Sequence, residues 1–411
     1  MAPPGPAEKP SGIDAATLVV GAPATHGGPP APTPRVLDRP PWTVALSAVL
    51  PGAGSLALGR WLPGGWTLVA WGIALATLLA ARDDLARTFD GGRIGDWVAG
   101  VTLALSIVGL WAWGLYDVLV RATRPVKRTG ISQWRIAWRR FRRNRLAMAG
   151  LAIMALLYWV TLLAPYLAPY DPNAQGDIVL TRFLDPSATH LFGTDKFGRD
   201  ILSRMLYGAR ISLTIGFLAV AISISLGTLV GAVAGYFRGW VDTAIARVID
   251  MLLSIPRLVL LLVVIAIFQP SIWLIIAVLG LTGWEGSARI VRGQFLQLRE
   301  QEFVQASRAL GYSDARIIRR HILPNTLAPI IVIATLNIGN TILLEAALSF
   351  LGLGVQPPTA SWGSMVSDGR DAMITAWWIS TFPGLAIVLT VVSFNLLGDG
   401  LRDALDPRLR A

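Results

Sequence analysis

The sequence contains no cysteine among its 411 residues, and only 15% of the residues are charged. Without cysteine, the chain has no disulfide, no thiolate metal ligand and no cysteine nucleophile. Acidic residues are also scarce, with 25 Asp and Glu against 36 Lys and Arg. The resulting net charge is +11, and the position of the basic residues along the chain indicates which kind of partner they serve.

Two motifs of enzymatic chemistry are missing as well. No Gly-x4-Gly-Lys-Ser/Thr run occurs, so the chain lacks the backbone cradle and the lysine that hold nucleotide phosphates. No zinc-binding His-Glu-x-x-His run occurs either. We therefore predict that the chain is not an enzyme and that it holds no cofactor or metal.

The sequence is rich in long hydrophobic stretches. Hydrophobic residues make up 54% of the chain, and the mean hydropathy is +0.56. Apolar stretches long enough to cross a bilayer recur between Gly64 and Leu397. The basic residues cluster beside these stretches, which favours membrane topology over nucleic-acid binding. We predict an all-α polytopic membrane protein that contacts membrane lipid and binds no nucleic acid.

The order of these stretches predicts four parts. Residues 1–40 are rich in Pro, Ala and Gly and are predicted to form a disordered tail. Residues 41–125 are predicted to form an accessory membrane module of about two spans, which begins with a short hairpin or interfacial segment broken at Pro51. Residues 126–145 are predicted to form a basic helix, and residues 146–411 a membrane core of six spans.

Charge predicts the orientation of these parts. Between Arg121 and Arg145 there are ten basic residues and no acidic one, which is the strongest cytoplasmic signal in the chain. Trp138 and Phe141 share one face of the helix predicted there, as in a helix that lies in the membrane interface. Alternation of spans then places the loop around His190 outside. For that loop we favour turns and ion pairs over a metal site, because no second histidine follows at ligand spacing.

The segment 291–326 is too polar to lie in lipid, although apolar spans flank it. From Phe295 to Leu310, apolar residues recur at spacings near three and four, as one helical face requires. Gly311 follows at the position of a left-handed helix cap. Pro324 is expected to end a second short helix. Arginines outnumber acidic residues here, which predicts a cytoplasmic loop.

This segment resembles the cytoplasmic coupling loop of ABC-importer permeases, in which a Glu-Ala-Ala triplet precedes a glycine and a closing Leu-Pro. The chain departs from the triplet at two positions, where it has glutamine and serine. The resemblance implies that this loop contacts a separate ATPase subunit. The residues that match or replace the motif are Gln305, Ala306, Ser307, Gly311, Leu323 and Pro324.

The same resemblance extends over roughly residues 131–408. The runs that begin at His190, Glu345 and Phe394 are similar to those of dipeptide, oligopeptide and nickel permeases. The resemblance implies a type I importer fold in the plasma (inner) membrane of a prokaryote, preceded here by about two extra transmembrane helices. It also implies three kinds of partner: a second homologous permease in a heterodimer, two ATP-binding subunits and an extracytoplasmic substrate-binding protein.

The function implied is that of a permease subunit of an ATP-driven importer for di- or oligopeptides, or for a related small solute such as a nickel complex. Two alternatives stay open: an ATP-independent channel or secondary transporter, and a non-transporting membrane scaffold. Glu345 lies inside a predicted span, where placing an acidic side chain in lipid is costly unless it is paired. Two interpretations stay open: Glu345 makes a gating or structural contact, or it lies near the external end and reaches headgroups or water. Asp250, at the start of a span predicted to end at Phe268, is a second candidate for a gating or structural contact.

Overall fold

The structure, a computed structural model, describes residues 41–57, 61–80, 94–118, 133–268 and 270–406. The predicted disordered tail, and the part of the basic segment that precedes residue 133, lie outside the described residues. Within the described part the regular structure is helical, and the only β-type pairing there is one antiparallel bridge between Thr194 and Asp200. The all-α prediction is confirmed.

Four helices of the accessory module lie among the described residues. The first two form a short hairpin, as the break at Pro51 predicts, and the Gly54 N–H donates to Ser47 Oγ at 3.1 Å across it. The next two are apolar, but the apolar helices Gly64–Leu78 and Gly100–Tyr116 are shorter than the core spans, so the two spans predicted here stay a prediction. The four helices are α1 (Pro41–Val49), α2 (Ala53–Ala57), α3 (Trp61–Ala80) and α4 (Ile94–Tyr116).

The core begins with the basic helix and then alternates long apolar helices with short polar segments. A π-helical turn (Ile318–Ile322) leads into one long helix, and a 3-10 turn (Arg370–Ala372) precedes the last. The helices are α5 (Gln133–Phe141), α6 (Arg145–Leu162), α7 (Ala164–Leu167), α8 (Ile178–Thr181), α9 (Ile201–Phe237), α10 (Gly239–Ser254), α11 (Arg257–Ile267), α12 (Ile272–Leu281), α13 (Trp284–Arg299), α14 (Glu302–Ala309), α15 (Asp314–Ile317), α16 (Leu323–Phe350), α17 (Trp362–Asp368) and α18 (Trp378–Leu405).

Five helical stretches of the described part are long and apolar enough to cross a membrane, and the bent pair α10–α11 makes a sixth if it counts as one span. α12 and α13 cross together as Ile272–Arg299, and α15 and α16 together as Asp314–Phe350. The span predicted to end at Phe268 is not one straight helix, because α10 and α11 meet at 83°. Pro256 lies at this break, and a proline disfavours helical geometry in the residue before it.

α9 packs along α13 through glycines spaced four residues apart. A methyl group added at Gly231 would lie 2.5 Å from the Ala288 carbonyl oxygen, and one at Gly235 would lie 2.6 Å from the Arg292 carbonyl oxygen. Small residues at this spacing let two helix backbones approach closely inside a bilayer. The contact holds α13, and the polar segment that follows it, against the C-terminal half of α9.

The accessory module packs against the first span of the core. Leu163, just after α6, is fully buried together with Ala74 and Leu103 of the module. The Trp159 indole N–H donates to Ser106 Oγ at 2.8 Å and so joins α6 to α4. The module is therefore in contact with the core although it lies outside the region that resembles permeases.

Helix α5 lies against the C-terminal end of α18. Phe141 is 3% exposed and packs with Ala147 and Ala404, whereas Trp138 stacks on it at 5.7 Å between ring centroids and is 51% exposed. Arg139 in the last turn of the helix is exposed. The helix thus has a packed face and a basic face, as the amphipathic prediction requires.

The loop between α6 and α9 is held by turns and ion pairs, the interpretation favoured from its sequence. Asp195 Oδ1 accepts the backbone N–H groups of Phe197 at 2.8 Å and Arg199 at 3.0 Å, and its Oδ2 accepts Arg199 Nε at 2.6 Å. His190 Nδ1 lies 3.0 Å from Asp200 Oδ1. Among the residues described, no group of three His, Cys, Asp or Glu could hold a metal ion.

Candidate functional site

The polar segment after α13 forms a helical hairpin, α14 and α15, at the predicted cytoplasmic end of the bundle. α13 ends at Arg299, and the extended backbone of Gln301 (φ −72°, ψ 145°) separates it from α14. This break resets the helical phase. The single apolar face predicted from Phe295 to Leu310 is therefore wrong: Phe295 is fully buried, whereas Leu310 is 71% exposed.

The inner face of the hairpin packs on the ends of α9 and α13. Val304 of α14 and Ile317 of α15 are fully buried in one cluster with Phe295 and Tyr236. Ser307 lies on the same inner face, is 5% exposed, and donates its hydroxyl to a carbonyl within α14 at 2.7 Å. The coupling role predicted for Ser307 stays a prediction, and its side chain faces the packed interior of the bundle and not the solvent.

The outer face of α14 exposes apolar side chains. Ala306 is exposed, Phe303 is 42% exposed and Leu310 is 71% exposed. Their spacings of three and four residues place them on one side of the helix. Gln305 beside them is exposed, and its Nε2 donates to the Glu300 carbonyl oxygen at 3.1 Å. An exposed helix with such a stripe has the form that docks into an apolar groove of a partner.

Gly311 makes the turn between the two helices with a positive φ of +76°, as predicted. Its N–H donates to the Arg308 carbonyl oxygen at 2.9 Å, and the Tyr312 N–H donates to the Ser307 carbonyl oxygen at 3.2 Å. These two bonds form the Schellman motif, which ends a helix with a left-handed residue. No atom lies within 4 Å of an added Cβ, so the backbone conformation alone requires glycine here.

Pro324 does not end the second helix, contrary to the prediction. Helical structure continues from Asp314 through the π-helical turn to Phe350. The Leu323 N–H bonds to the carbonyl oxygen of Ile318, five residues before it. Pro324 follows this π-helical turn directly, and the wider turn accommodates a residue that has no N–H to donate. Leu323 is half-buried and Pro324 is exposed.

Glu345 lies near the predicted external end of α16 and is fully buried. Its Oε1 accepts the Ser349 hydroxyl at 2.7 Å, and its Oε2 accepts the Ser212 hydroxyl at 3.3 Å. The backbone N–H groups of Val355 and Trp362 donate to these same hydroxyls at 3.3 Å and 3.2 Å. The alternative that Glu345 reaches headgroups or water is wrong. The carboxyl group instead connects α9, α16 and the start of α17.

Asp250 lies on the surface at the predicted cytoplasmic end. The Arg289 Nη2 donates to its Oδ1 at 2.6 Å, but both side chains are more than half exposed, and exposed ion pairs contribute little to stability. Asp242 makes the better-shielded tie between α10 and α13, because Arg292 donates to both of its carboxylate oxygens. Sequence reasoning selected Asp250 and missed Asp242.

Sequence reasoning also missed Tyr236, at the end of α9. Its hydroxyl donates to Asp314 Oδ1 at 2.5 Å, across 78 positions of the sequence. Arg299 Nη1 donates to the Tyr236 carbonyl oxygen. No spacing rule connects residues so far apart. The only signal was the short polar turn that follows Tyr236.

Comparisons with known proteins agree over the core. The profile of the family described as "Binding-protein-dependent transport system inner membrane component" matches residues 227–411, and that of the "N-terminal TM domain of oligopeptide transport permease C" matches residues 132–186. The chain is 45% identical over 291 residues to the dipeptide transport system permease protein of Bacillus subtilis (strain 168), covering 71% of this chain and 90% of that protein.

Two further relatives have similar coverage. The chain is 46% identical over 277 residues to the glutathione transport system permease protein of Escherichia coli O6:K15:H31, covering 67% of this chain and 91% of that protein. It is 46% identical over 272 residues to a putative peptide transport system permease protein of Brucella abortus biovar 1, covering 66% of this chain and 91% of that protein. The accessory module lies outside both family profiles.

Proposed function

The chain belongs to the family of inner membrane components of binding-protein-dependent transport systems, and on that basis we propose that it forms one half of the translocation pathway of a peptide importer. Three of its relatives are named for the transport of dipeptides, peptides and glutathione, so the solute proposed is a di- or short oligopeptide. ATP is hydrolysed by separate subunits, as in the family as a whole. The single observation that carries the mechanism is the exposed apolar face of α14.

That face is proposed to dock into a groove of an ATP-binding subunit. Phe303, Ala306 and Leu310 would enter the groove, with Gln305 at its edge. The inner face of the hairpin is packed on α9 and α13, so a displacement of α14 moves the ends of two spans as one body. Closure of the ATPase pair on ATP is thereby coupled to a change in access on the other side of the membrane.

The proposed partners follow from this arrangement. We propose that a second, homologous permease completes the pathway in a heterodimer, with two ATP-binding subunits beneath it. An extracytoplasmic binding protein delivers the peptide to the predicted external face. The two alternatives, an ATP-independent channel or secondary transporter and a membrane scaffold, have no such need for an ATP-binding subunit.

Co-purification tests the docking. The chain carries an affinity tag and is co-expressed with an ATP-binding subunit and a second permease, and the complex is extracted in mild detergent. We expect the ATP-binding subunit to co-purify and Leu310→Asp to abolish its recovery, because a charge would enter the apolar groove. Leu351→Asp is the matched control: Leu351 also caps a helix C-terminus, is 53% exposed and lies at the other end of the bundle. If parent and Leu310→Asp recover the ATP-binding subunit equally, α14 is not the docking element.

Glu345 is proposed to have a structural role at the external end of the pathway. Its two serine contacts hold the start of α17 against α9 and α16. Glu345→Gln replaces one acceptor oxygen with a donor, so one serine hydroxyl loses its acceptor, and we expect a lower melting temperature of the purified complex with solute selectivity unchanged. A variant with unchanged stability but with uptake that no longer needs ATP would contradict this role and favour a gating function.

A further inference from the structure

Tyr236 lies where α9 meets all parts of the helical hairpin. Its side chain is buried, and its hydroxyl donates to Asp314 of α15 at 2.5 Å. The Arg308 guanidinium of α14 lies 5.2 Å from the centroid of its ring, and that of Arg299 at the end of α13 lies 5.7 Å away. Arg299 also donates to the Tyr236 carbonyl oxygen. One residue of a membrane span thus touches three successive helices.

The backbone around Tyr236 leaves little freedom for this contact to slide. Before it, Gly235 packs closely on the Arg292 carbonyl oxygen, so α9 has no room to shift toward α13. After it, Arg238 has a positive φ of +57°, which is unfavourable for a residue with a side chain. Arg238 Nη1 also lies 2.9 Å from Glu300 Oε1 at the start of the hairpin, but both side chains are about half exposed, so this ion pair adds little.

We propose that Tyr236 is the positioning residue that transmits displacement of the hairpin to α9, through its hydrogen bond to Asp314. This inference rests on the proposed function, because it names the link by which ATPase closure reaches the translocation pathway. The apolar cluster under the hairpin resists compression, but apolar contacts are non-directional and allow sliding. A hydrogen bond from a hydroxyl to a carboxylate is directional and short, and it holds α15 at a fixed distance from the end of α9.

Single substitutions at Tyr236 or Asp314 can remove this hydrogen bond with little change to the packing around it. Tyr236→Phe deletes one oxygen atom and keeps the ring near the two guanidinium groups. Asp314 is exposed, so Asp314→Ala removes the acceptor without opening a cavity in the core. Asp314→Asn keeps an acceptor oxygen and serves as the conservative rescue. Tyr158→Phe is the matched control, because the Tyr158 hydroxyl is buried in α6 and has no hydrogen-bond partner among the described residues.

The experiment uses the full complex in proteoliposomes, with a radiolabelled dipeptide and its binding protein. The quantity measured is the number of dipeptides taken up per ATP hydrolysed. We expect Tyr236→Phe and Asp314→Ala each to lower this ratio, on the order of tenfold, with subunit assembly unchanged. The double variant should be no worse than either single one, because the two changes remove the same bond. Asp314→Asn should keep most of the ratio and Tyr158→Phe all of it.

The outcomes separate this inference from the proposed function. If the parent complex takes up dipeptide with ATP and Tyr236→Phe keeps the parent's ratio, Tyr236 is not the link, although the permease function stands. Additive losses in the double variant would also overturn the inference. If the parent itself shows no ATP-dependent uptake, both the proposed function and the inference fail. If Tyr236→Phe does not assemble, Asp314→Ala against Asp314→Asn decides the question at an exposed position.

Discussion

Replacing Gly311 with valine perturbs the turn between α14 and α15 without touching the packing of the loop. No atom lies within 4 Å of an added Cβ at this position, so the substitution makes no steric clash with a neighbour. What it changes is the backbone. Gly311 has φ +76°, a left-handed geometry that a β-branched residue adopts only with strain.

The cost of that strain is about 1–2 kcal/mol. Such a free energy corresponds to roughly a 5- to 30-fold fall in the ratio of molecules that keep the native turn to molecules that lose it. When the turn relaxes, the two Schellman hydrogen bonds of Gly311 and Tyr312 break, and α15 leaves α14 at a different angle. The spans are distant from this turn, so membrane insertion should be unaffected.

A second glycine provides the control. Gly352 ends α16 with φ +82°, has no atom within 4 Å of an added Cβ, and makes the same pair of hydrogen bonds through its own N–H and that of Leu353. It lies at the opposite end of α16 from the hairpin. Gly352→Val therefore has a similar conformational cost at a place that the account does not assign to ATPase docking.

The assay is recovery of the ATP-binding subunit with the tagged chain, together with ATP hydrolysis by the complex. We expect Gly311→Val to lose most of both and Gly352→Val to keep the ATP-binding subunit bound. If Gly311→Val binds the ATP-binding subunit and couples hydrolysis as well as the parent, the turn does not orient the docking helix. If both variants lose the subunit equally, the loss reflects general instability and not the hairpin.

Three other predictions concern the core and its attachments. The chain has no cysteine of its own, so a single cysteine can be introduced at Gln175 or at Ala315 and treated with an impermeant thiol reagent in intact cells. We expect the cysteine at position 175 to react and the one at position 315 not to react. Labelling at position 315 alone would reverse the predicted topology. Deletion of residues 1–125 should lower the melting temperature, because Leu163 becomes exposed and Trp159 loses its hydrogen bond to Ser106. The peptide-stimulated ATPase activity should stay intact. Loss of that activity in a chain that still inserts into the membrane would contradict the prediction. Gly231→Val should separate α9 from α13 and destabilise the chain by about 1–3 kcal/mol in thermal unfolding. Gly293→Val is the control, because no atom lies within 4 Å of a Cβ added at that position. Equal stability of the two variants would refute the close packing of α9 on α13.

The membrane architecture could be predicted from the sequence because its causes are local. Apolar length marks a span, and arginine excess marks the side of the membrane, so a core of five or six spans and the polar segment within it could be predicted. The positive φ of Gly311 followed from its position after a helical run. The bend at Pro256 was also visible in principle, because a proline two residues after Ser254 disfavours a straight helix.

The details of the hairpin could not be predicted, because they depend on phase and on tertiary contacts. An extended residue at Gln301 turns α14 relative to α13, so Ser307 faces inward and Phe303 outward although the sequence periodicity runs unbroken. The π-helical turn before Leu323 accommodates Pro324, so the helix stays continuous. The contact of Tyr236 with Asp314 joins positions 78 residues apart, and no local spacing rule connects them.

The most direct test of the account is peptide accumulation in proteoliposomes that contain this chain, a second permease and two ATP-binding subunits, with the binding protein on the external side. The measurement is the internal concentration of a radiolabelled dipeptide with ATP or with a non-hydrolysable analogue inside the vesicle. We predict accumulation above the external concentration only with ATP and only when this chain and the ATP-binding subunits are both present. Equal entry of the dipeptide without the ATP-binding subunits would identify a channel or secondary transporter and contradict the account.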